Sequence, residues 1–217
     1  MVGVQRGLIE NPVGHGRTWL RLDSARQEFG SKGIPSKPAF PKLQGGAPLT
    51  RYFEYGTDAI EYLKAKDKKL GAAIDAVGVV RREMDEDDLF SAIVHQIVGQ
   101  QISTAAQATI WNRMRERLGE VTPAAVRAAA EEELQSCGIT FTKARYMKSC
   151  AEKVASGQFD LDAVRKMNDA EAIAALSSLE GVGVWTAEML LLFCLGRPDI
   201  LSYGDLAIHR GMRMVYH

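Results

Sequence analysis

A pair of glycines, Gly181 and Gly183, lies on either side of Val182 between two apolar runs, in the stretch LEGVGVWTAEM. Glycine permits the positive φ that a tight turn between two helices requires. It also leaves backbone N–H groups uncovered at the start of the following helix, where a phosphate can approach without meeting a side chain. The spacing therefore predicts either an ordinary helical hairpin with a glycine turn or a hairpin that binds a phosphate group.

Helices are the elements predicted to position this turn. The segment NDAEAIAALSSL before it has apolar residues at helical spacing, and TAEMLLLFCL after it is apolar on nearly every face. Upstream, the pattern predicts a first helix, DAIEYLKAKDKKLGAAIDAV, capped by Thr57, and a second, LFSAIVHQIVGQ, that starts after the acidic residues 85–88 and ends at Gly99. Further helices are predicted in STAAQATIWNRMRERL, in PAAVRAAAEEELQSC with Pro123 in its first turn, and in TKARYMKSCAEKVASG. With no convincing strand and no fixed repeat, the predicted fold class is all-α.

The composition is typical of a soluble globular protein. Of 217 residues, 46% are hydrophobic and 25% are charged. No apolar run approaches the roughly 20 residues of a membrane span. The three cysteines form no C-x-x-C pair, which argues against a disulfide framework and against a zinc site. We therefore expect a reducing setting, no membrane partner and no metal site.

Residues 1–50 differ from the rest of the chain. Five of the seven prolines lie there, so we expect an irregular arm followed by a helical domain at residues 51–217. The arm carries seven basic and three acidic residues, a net charge of +4, and the remainder therefore carries −4. Because a net-negative domain has no bulk attraction to nucleic acid, an interpretation as a DNA-binding protein depends on local geometry.

Three blocks of the sequence, in order, resemble the helix-hairpin-helix (HhH-GPD) superfamily of DNA glycosylases. They are IVGQQISTAA at 97–106, CGITFTKARYM at 137–147, and the glycine hairpin with the apolar helix that follows it and SYGDLAIHRGM. The first two are similar to the alkylpurine branch, the 3-methyladenine DNA glycosylase II type. The resemblance covers residues 51–217. It implies a base excision repair enzyme that removes alkylated purines flipped out of double-stranded DNA.

Asp205 is the catalytic residue that this resemblance implies. Removal of a base leaves the sugar oxocarbenium-like, and a carboxylate can stabilise that positive charge and position or deprotonate the attacking water. From its place after Gly204 alone, Asp205 is a helix cap. The two roles are compatible.

Trp185 stands where family members that also cut the DNA backbone carry a lysine, which forms a Schiff base with the sugar. The tryptophan therefore predicts a monofunctional enzyme without lyase activity. Trp185 and Met189, one helical turn apart, are expected to line the base pocket, where an aromatic face suits a cationic alkylated base. The alternative is that both belong to the core.

Other residues are assigned to DNA by the resemblance. Gln100 or Gln101, and above all Gln101, is expected to be the wedge that fills the gap left by the flipped base, and the alternative is a solvated surface pair. His95 is interpreted as packing between helices. Contacts to the DNA backbone are expected from Gly181, Val182, Gly183, Thr186, His209 and Arg210. Lys143, Arg145 and Lys148 either touch phosphates or form the wet face of a helix.

No cofactor is expected to be required, and a structural monovalent cation at the hairpin carbonyls is the one ion that the family implies. We expect a monomer in the cytoplasm, or at the nucleoid in a bacterium. The chain ends at His217 within a predicted helix, whereas family members continue, so the domain is expected to be truncated at its carboxyl end. This leaves two alternatives to the enzyme: a non-catalytic DNA-binding protein derived from a glycosylase by truncation, and a helical protein–protein module.

Overall fold

The computed structural model describes residues 51–84 and 88–217, and the predicted arm at residues 1–50 lies outside these ranges. Within them the chain is helical and has no strand, which confirms the all-α prediction. None of the helices there is long and apolar enough to cross a membrane. In chain order they are α1 (Thr57–Lys66), α2 (Lys68–Val77), α3 (Leu89–Gly99), α4 (Thr104–Leu118), α5 (Pro123–Ala128), α6 (Glu131–Ser136), α7 (Phe141–Ala155), α8 (Leu161–Lys166), α9 (Asp169–Ser177), α10 (Val184–Phe193) and α11 (Leu206–Tyr216).

Helix α3 lies at the centre of the core. Asp88 starts it by accepting the N–H of Ser91 at 2.8 Å, while residues 85–87, which were expected to add negative charge there, lie outside the described ranges. Phe90, Ile93 and Ile97 are completely buried, and α3 packs against α4, α7 and α10. Each large apolar side chain removed from water contributes roughly 1.5–3 kcal/mol. The helix that leads to the glutamine pair is therefore firmly held.

The first predicted helix is divided in two. Gly56, not Thr57, is the N-cap of α1. The chain leaves the helical conformation at Asp67, whose carboxylate accepts the N–H of Leu70 at 2.9 Å and so starts α2. The prediction of one continuous helix is wrong because an aspartate competes for backbone N–H groups, which apolar spacing does not reveal.

The segment after Pro123 is also divided. Pro123 lies in the first turn of α5, as predicted, but Ala129 and Ala130 are extended, with ψ of 141° and 155°. Lys148 on α7 donates hydrogen bonds to the carbonyl oxygens of Arg127 and Ala129, which holds the chain open between α5 and α6. A contact from another helix is not visible in the local sequence, and spacing did not predict the short α8 either.

Helices α9 and α10 pack against each other and carry the hairpin between them. A capping box at Asn168 starts α9. Beyond α10, Arg197 donates to the carboxylate of Asp169 at 2.8 Å and to the carbonyl oxygens of Val164 and Arg165. This guanidinium fixes the start of the loop that leads to α11.

The last helix, α11, is attached to the first two. The hydroxyl of Tyr216 donates to the Asp67 carboxylate at 2.5 Å, and the ammonium of Lys69 donates to the Tyr216 carbonyl at 3.3 Å. No residue of α11 is buried, and these polar contacts attach its carboxyl end to the first two helices.

Candidate nucleic-acid interface and catalytic carboxylate

The hairpin turns between α9 and α10, where the N–H of Val182 donates to the carbonyl of Leu179 at 3.1 Å. The positive φ that the turn was expected to require is confirmed at Gly181, with +80°, whereas Gly183 has a φ of −86°. A Cβ at Gly181 would lie 2.3 Å from the ring of Tyr146, whereas one at Gly183 would meet nothing within 4 Å. The fold therefore requires the first glycine, and the second leaves open surface.

Helix α10 starts at Gly183 without a side-chain cap. The N–H groups of its first turn thus have no side-chain acceptor, and the helix dipole adds positive potential at this end. The side chains of Val182 and Thr186 are buried. With the Val182 and Thr186 side chains turned into the core, the N–H groups at the start of α10 are arranged in a way that suits an anion such as phosphate.

The two glutamines after α3 differ in what they contact. Gln100 donates its side-chain amide to the carbonyl of Gly181 at 2.7 Å. The Lys143 ammonium donates to the carbonyl oxygens of Val98 and Gln100, at 2.9 and 2.7 Å. Gln101 is exposed, and its φ of 59° is the only positive φ of a non-glycine residue in the described ranges, 51–84 and 88–217. Gln100 holds the hairpin, and Gln101 presents its side chain to solvent.

An open cleft of about 820 Å³ lies between these elements. Both glutamines, Lys143, Gly181 and Gly183 line it. The glutamine pair predicted for the wedge thus shares one cleft with the hairpin residues predicted for phosphate contact, whereas Thr186, His209 and Arg210 do not line it. The residues predicted for the chemistry do not line it and are brought together at the start of α11 instead.

Asp205 is the N-cap of α11, as its position after Gly204 predicts. One carboxylate oxygen accepts the N–H groups of Ala207 and Ile208, at 2.7 and 2.9 Å. The other accepts the indole N–H of Trp185 at 2.8 Å. The Ile208 N–H, followed by the Trp185 indole, holds the pKa of the Asp205 carboxyl below its usual range. Both oxygens are therefore oriented, and the group is ionised at neutral pH.

Trp185 and Met189 lie one turn apart on α10 but differ in exposure. The side chain of Trp185 is 45% exposed, whereas that of Met189 is 8% exposed. Trp185 offers an aromatic surface beside the Asp205 carboxylate. Met189 is therefore buried in the core, whereas Trp185 is not. A role in the base pocket stays a prediction for both residues.

The basic residues fall into two groups. His209 and Arg210 are exposed on α11, and the ring of His209 hydrogen-bonds a carbonyl oxygen in the loop before that helix. Lys143 and Lys148 donate to carbonyl oxygens at helix ends, and contact with phosphates stays a prediction for both. Arg145 remains exposed on α7.

His95 packs against Trp111, with ring centroids 4.7 Å apart, which confirms its interpretation as a packing residue. Among residues 51–84 and 88–217, no group of three or more His, Cys, Asp and Glu side chains could hold a metal ion.

Sequence reasoning missed three side chains that build the site. Tyr146 packs its ring against Gly181, and Ser202 in the loop before α11 donates to Glu188 on α10. A tyrosine within a helix and a serine separated from a glutamate by a loop carry no signal in spacing. Only the tertiary structure brings them to the hairpin and to Asp205.

Comparison with known proteins gives consistent results. Residues 94–217 match the family model described as the HhH-GPD superfamily base excision DNA repair protein. The chain is 30% identical over 166 residues to DNA-3-methyladenine glycosylase 1 of Schizosaccharomyces pombe, which covers 74% of this chain and 73% of the relative. It spans only 46% of a 27% identical DNA-3-methyladenine glycosylase of Bacillus subtilis.

Solved structures show the same similarity. A DNA-3-methyladenine glycosidase from Bacillus halodurans superposes with a TM-score of 0.67 at 31% identity, over 76% of this chain and 77% of that one. The Schizosaccharomyces pombe 3-methyladenine DNA glycosylase, in a complex with abasic DNA, superposes with a TM-score of 0.66 at 29% identity, over 73% and 80%.

Proposed function

This chain belongs to the HhH-GPD superfamily of base excision DNA repair proteins, and we propose that it is a glycosylase that hydrolyses the N-glycosidic bond of alkylated purines in double-stranded DNA. Asp205 supports this activity most strongly, because its oriented carboxylate lies beside the exposed surface of Trp185. The names of the relatives supply the substrate class, the 3-methyladenine type.

In this reaction the bond between C1′ of the sugar and a ring nitrogen of the base breaks, and a bond from C1′ to a water oxygen forms. The electron pair of the broken bond leaves with the base, and the water, once bonded to C1′, loses one proton to the solvent. An alkylated purine already carries positive charge, so it leaves readily without a strong general acid. The sugar becomes oxocarbenium-like, and a preorganised negative charge stabilises it.

Asp205 is suited to that stabilisation more than to proton transfer. Hydrogen bonds from the Ile208 N–H and the Trp185 indole hold its pKa below the usual range, and a carboxylate with a lowered pKa is a weak base. We therefore assign it the role of counter-ion to the sugar, with a second role in orienting the water. The cap contacts fix the direction of the charge.

The base pocket is proposed to form on α10. Trp185 would stack against the flipped purine, and its aromatic face would attract the positive charge of an alkylated ring. Met189, buried one turn further along α10, would support that ring from below. Gln101 would enter the gap in the duplex, because Gln100 is engaged by the hairpin.

The DNA backbone is proposed to contact the uncapped start of α10 through its N–H groups, from Gly181 to Thr186, and the exposed His209 and Arg210 on α11. A net-negative domain would then bind DNA by local geometry. Affinity should fall as salt rises. Equal affinity at low and high salt would contradict this binding mode.

Trp185 also supports a monofunctional reaction, since an indole cannot form a Schiff base with the sugar. Treatment with borohydride during turnover should trap no covalent protein–DNA adduct and should leave an uncut abasic site. A trapped adduct would show that another amine acts as a nucleophile.

A monovalent cation at the hairpin remains a proposal, as do the monomeric state and the lack of a required cofactor. The carbonyl oxygens of Leu179 and Gly181 each accept one hydrogen bond, so each retains one lone pair for an ion. DNA affinity measured in potassium and in tetramethylammonium at equal ionic strength tests this site, and equal values would argue against it.

The proposed function is tested by measuring the release of free methylated bases from alkylated duplex DNA. The purified parent chain and the Asp205→Asn variant are compared. Release by the parent alone is expected. Salt-dependent binding without release would instead favour the non-catalytic DNA-binding protein.

A further inference from the structure

Glu188 and Ser202 join the two elements that bring Trp185 and Asp205 together. Ser202 lies in the loop before α11 and is fully buried. Its hydroxyl donates to the carboxylate of Glu188 on α10 at 2.5 Å. A hydrogen bond from a hydroxyl to a carboxylate is charge-assisted.

The backbone of Ser202 acts on Asp205 directly. Its carbonyl oxygen accepts the N–H of Asp205 at 3.2 Å, which closes the turn immediately before the N-cap. One residue therefore holds the aspartate through its backbone and is itself held by α10 through its side chain. The acceptor on Glu188 determines where this turn lies relative to α10.

Glu188 and Trp185 are three residues apart on α10, so their side chains leave the helix on the same side. Trp185 donates to the Asp205 carboxylate at 2.8 Å, and Glu188 accepts from Ser202. The start of α11 is thus attached to α10 at two points, one on the side chain of the aspartate and one on the turn before it. Two attachment points fix the orientation of the carboxylate as well as its distance.

We propose that Glu188 and Ser202 are positioning residues for Asp205. Neither is expected to touch the substrate. They keep the turn at the place where the N–H groups of Ala207 and Ile208 and the indole of Trp185 converge on one carboxylate. The consequence for turnover rests on the proposed function of Asp205, whereas the consequence for the carboxylate itself can be measured without any activity.

Three variants test this role: Ser202→Ala and Glu188→Ala remove the bond, and Glu188→Gln keeps an oxygen that still accepts from the hydroxyl. The pKa of Asp205 is measured in the free protein by a carboxyl-carbon NMR titration. Single-turnover rate and DNA affinity are measured on a methylated duplex. The two alanine variants should raise the pKa of Asp205 towards its ordinary value and lower the rate roughly 10- to 100-fold, the scale of a small misplacement. DNA affinity should not change, and Glu188→Gln should retain most of the rate.

Ser149→Ala is the matched control, because it removes another serine–glutamate bond, from Ser149 to Glu180 at 3.1 Å, between α7 and the hairpin. It should leave the rate and the Asp205 titration unchanged. An unchanged Asp205 pKa in folded Ser202→Ala would overturn the inference, and Glu188→Ala decides in the same way if Ser202→Ala does not fold. Equal losses in Glu188→Gln and Glu188→Ala would also overturn it. If the parent releases no base, the proposed function fails, and the titration still decides the positioning role.

Discussion

Helices α10 and α11 both start next to a glycine, but their first turns are built in opposite ways. The N-cap of α10 is Gly183, which has no side chain, so the first N–H groups have no side-chain acceptor. The N-cap of α11 is Asp205, whose carboxylate accepts two of the corresponding N–H groups. A helix start can thus keep its positive potential for an external anion, or use it to hold an internal one.

This difference separates binding from chemistry. The open start of α10 is suited to a phosphate, because its N-cap, Gly183, supplies no side chain to accept from its N–H groups. The capped start of α11 cannot take a phosphate in the same way, but it holds a carboxylate in one orientation with a lowered pKa. Both starts are joined through Trp185, which belongs to the first turn of α10 and donates to Asp205.

Replacement of the carboxylate at the capped start should give the largest effect. Asn caps a helix about as well as Asp, so Asp205→Asn should keep α11 and DNA affinity while its single-turnover rate falls roughly 100- to 1000-fold, the scale of losing one preorganised electrostatic contact. Thermal unfolding checks that the fold is intact. A rate within a few-fold of the parent would leave Asp205 as a cap alone.

Filling the open start should affect binding instead. Gly183→Leu should weaken affinity for duplex DNA by about tenfold, equivalent to about 1.4 kcal/mol, because its side chain would enter the open surface where a phosphate would approach. Gly56→Leu is the matched control, since Gly56 is the uncapped N-cap of α1 and a Cβ there would meet only the backbone nitrogen of Asp58, at 3.9 Å. Each variant should lose about 1 kcal/mol of stability or less. Equal loss of DNA affinity in both would contradict a specific site at α10.

Trp185, which joins the starts of α10 and α11, should affect the pH dependence of the single-turnover rate. Trp185→Phe keeps an aromatic ring but removes the donor to Asp205, so the pKa of Asp205 should rise and the acid limb of the rate profile should move to higher pH. A carboxyl with a lowered folded pKa stabilises the protein above its unfolded pKa, and this contribution is lost as pH falls through the folded value. Because the pKa of Asp205 is lowered in the parent, the parent should keep its rate to lower pH than Trp185→Phe does. An acid limb at the same pH in both proteins would remove the indole as a cause.

The smallest effects are expected at the glutamine pair. Gln100→Ala loses the bond to the Gly181 carbonyl and should weaken DNA affinity a few-fold, since the hairpin is less well held. Gln101→Ala should leave affinity unchanged and lower the single-turnover rate a few-fold, since the flipped state loses its wedge. If Gln101→Ala weakened affinity and Gln100→Ala lowered only the rate, Gln100 would be the wedge and Gln101 would hold the hairpin.

The sequence predicted most of the helices and the principal residues, because apolar spacing, caps and the glycine turn are local signals. Asp205 as a cap, Gly99 as a helix end and the positive φ of Gly181 all follow from such signals. The division at Asp67 and the extended Ala129 depended on side-chain competition and on a lysine from another helix.

The parts of the site that the sequence did not predict also depend on contacts between distant segments. Lys143 lies in the block CGITFTKARYM, which resembles the family. Its role as a donor to carbonyl oxygens at the end of α3 nevertheless depends on the packing of α7 against α3. Glu188 and Ser202 meet only after the loop returns to α10. Contacts between elements distant in sequence are therefore what composition and spacing leave out.

The separation of DNA binding from base release is tested most directly by two variants, Gly183→Leu and Asp205→Asn. DNA affinity and single-turnover base release are measured for both on one methylated duplex. Gly183→Leu should lose affinity and, at saturating protein, keep its rate. Asp205→Asn should keep affinity and lose its rate. Loss of both properties in each variant, or a rate defect that follows Gly183→Leu at saturation, would contradict the division of binding and chemistry between the two helix starts.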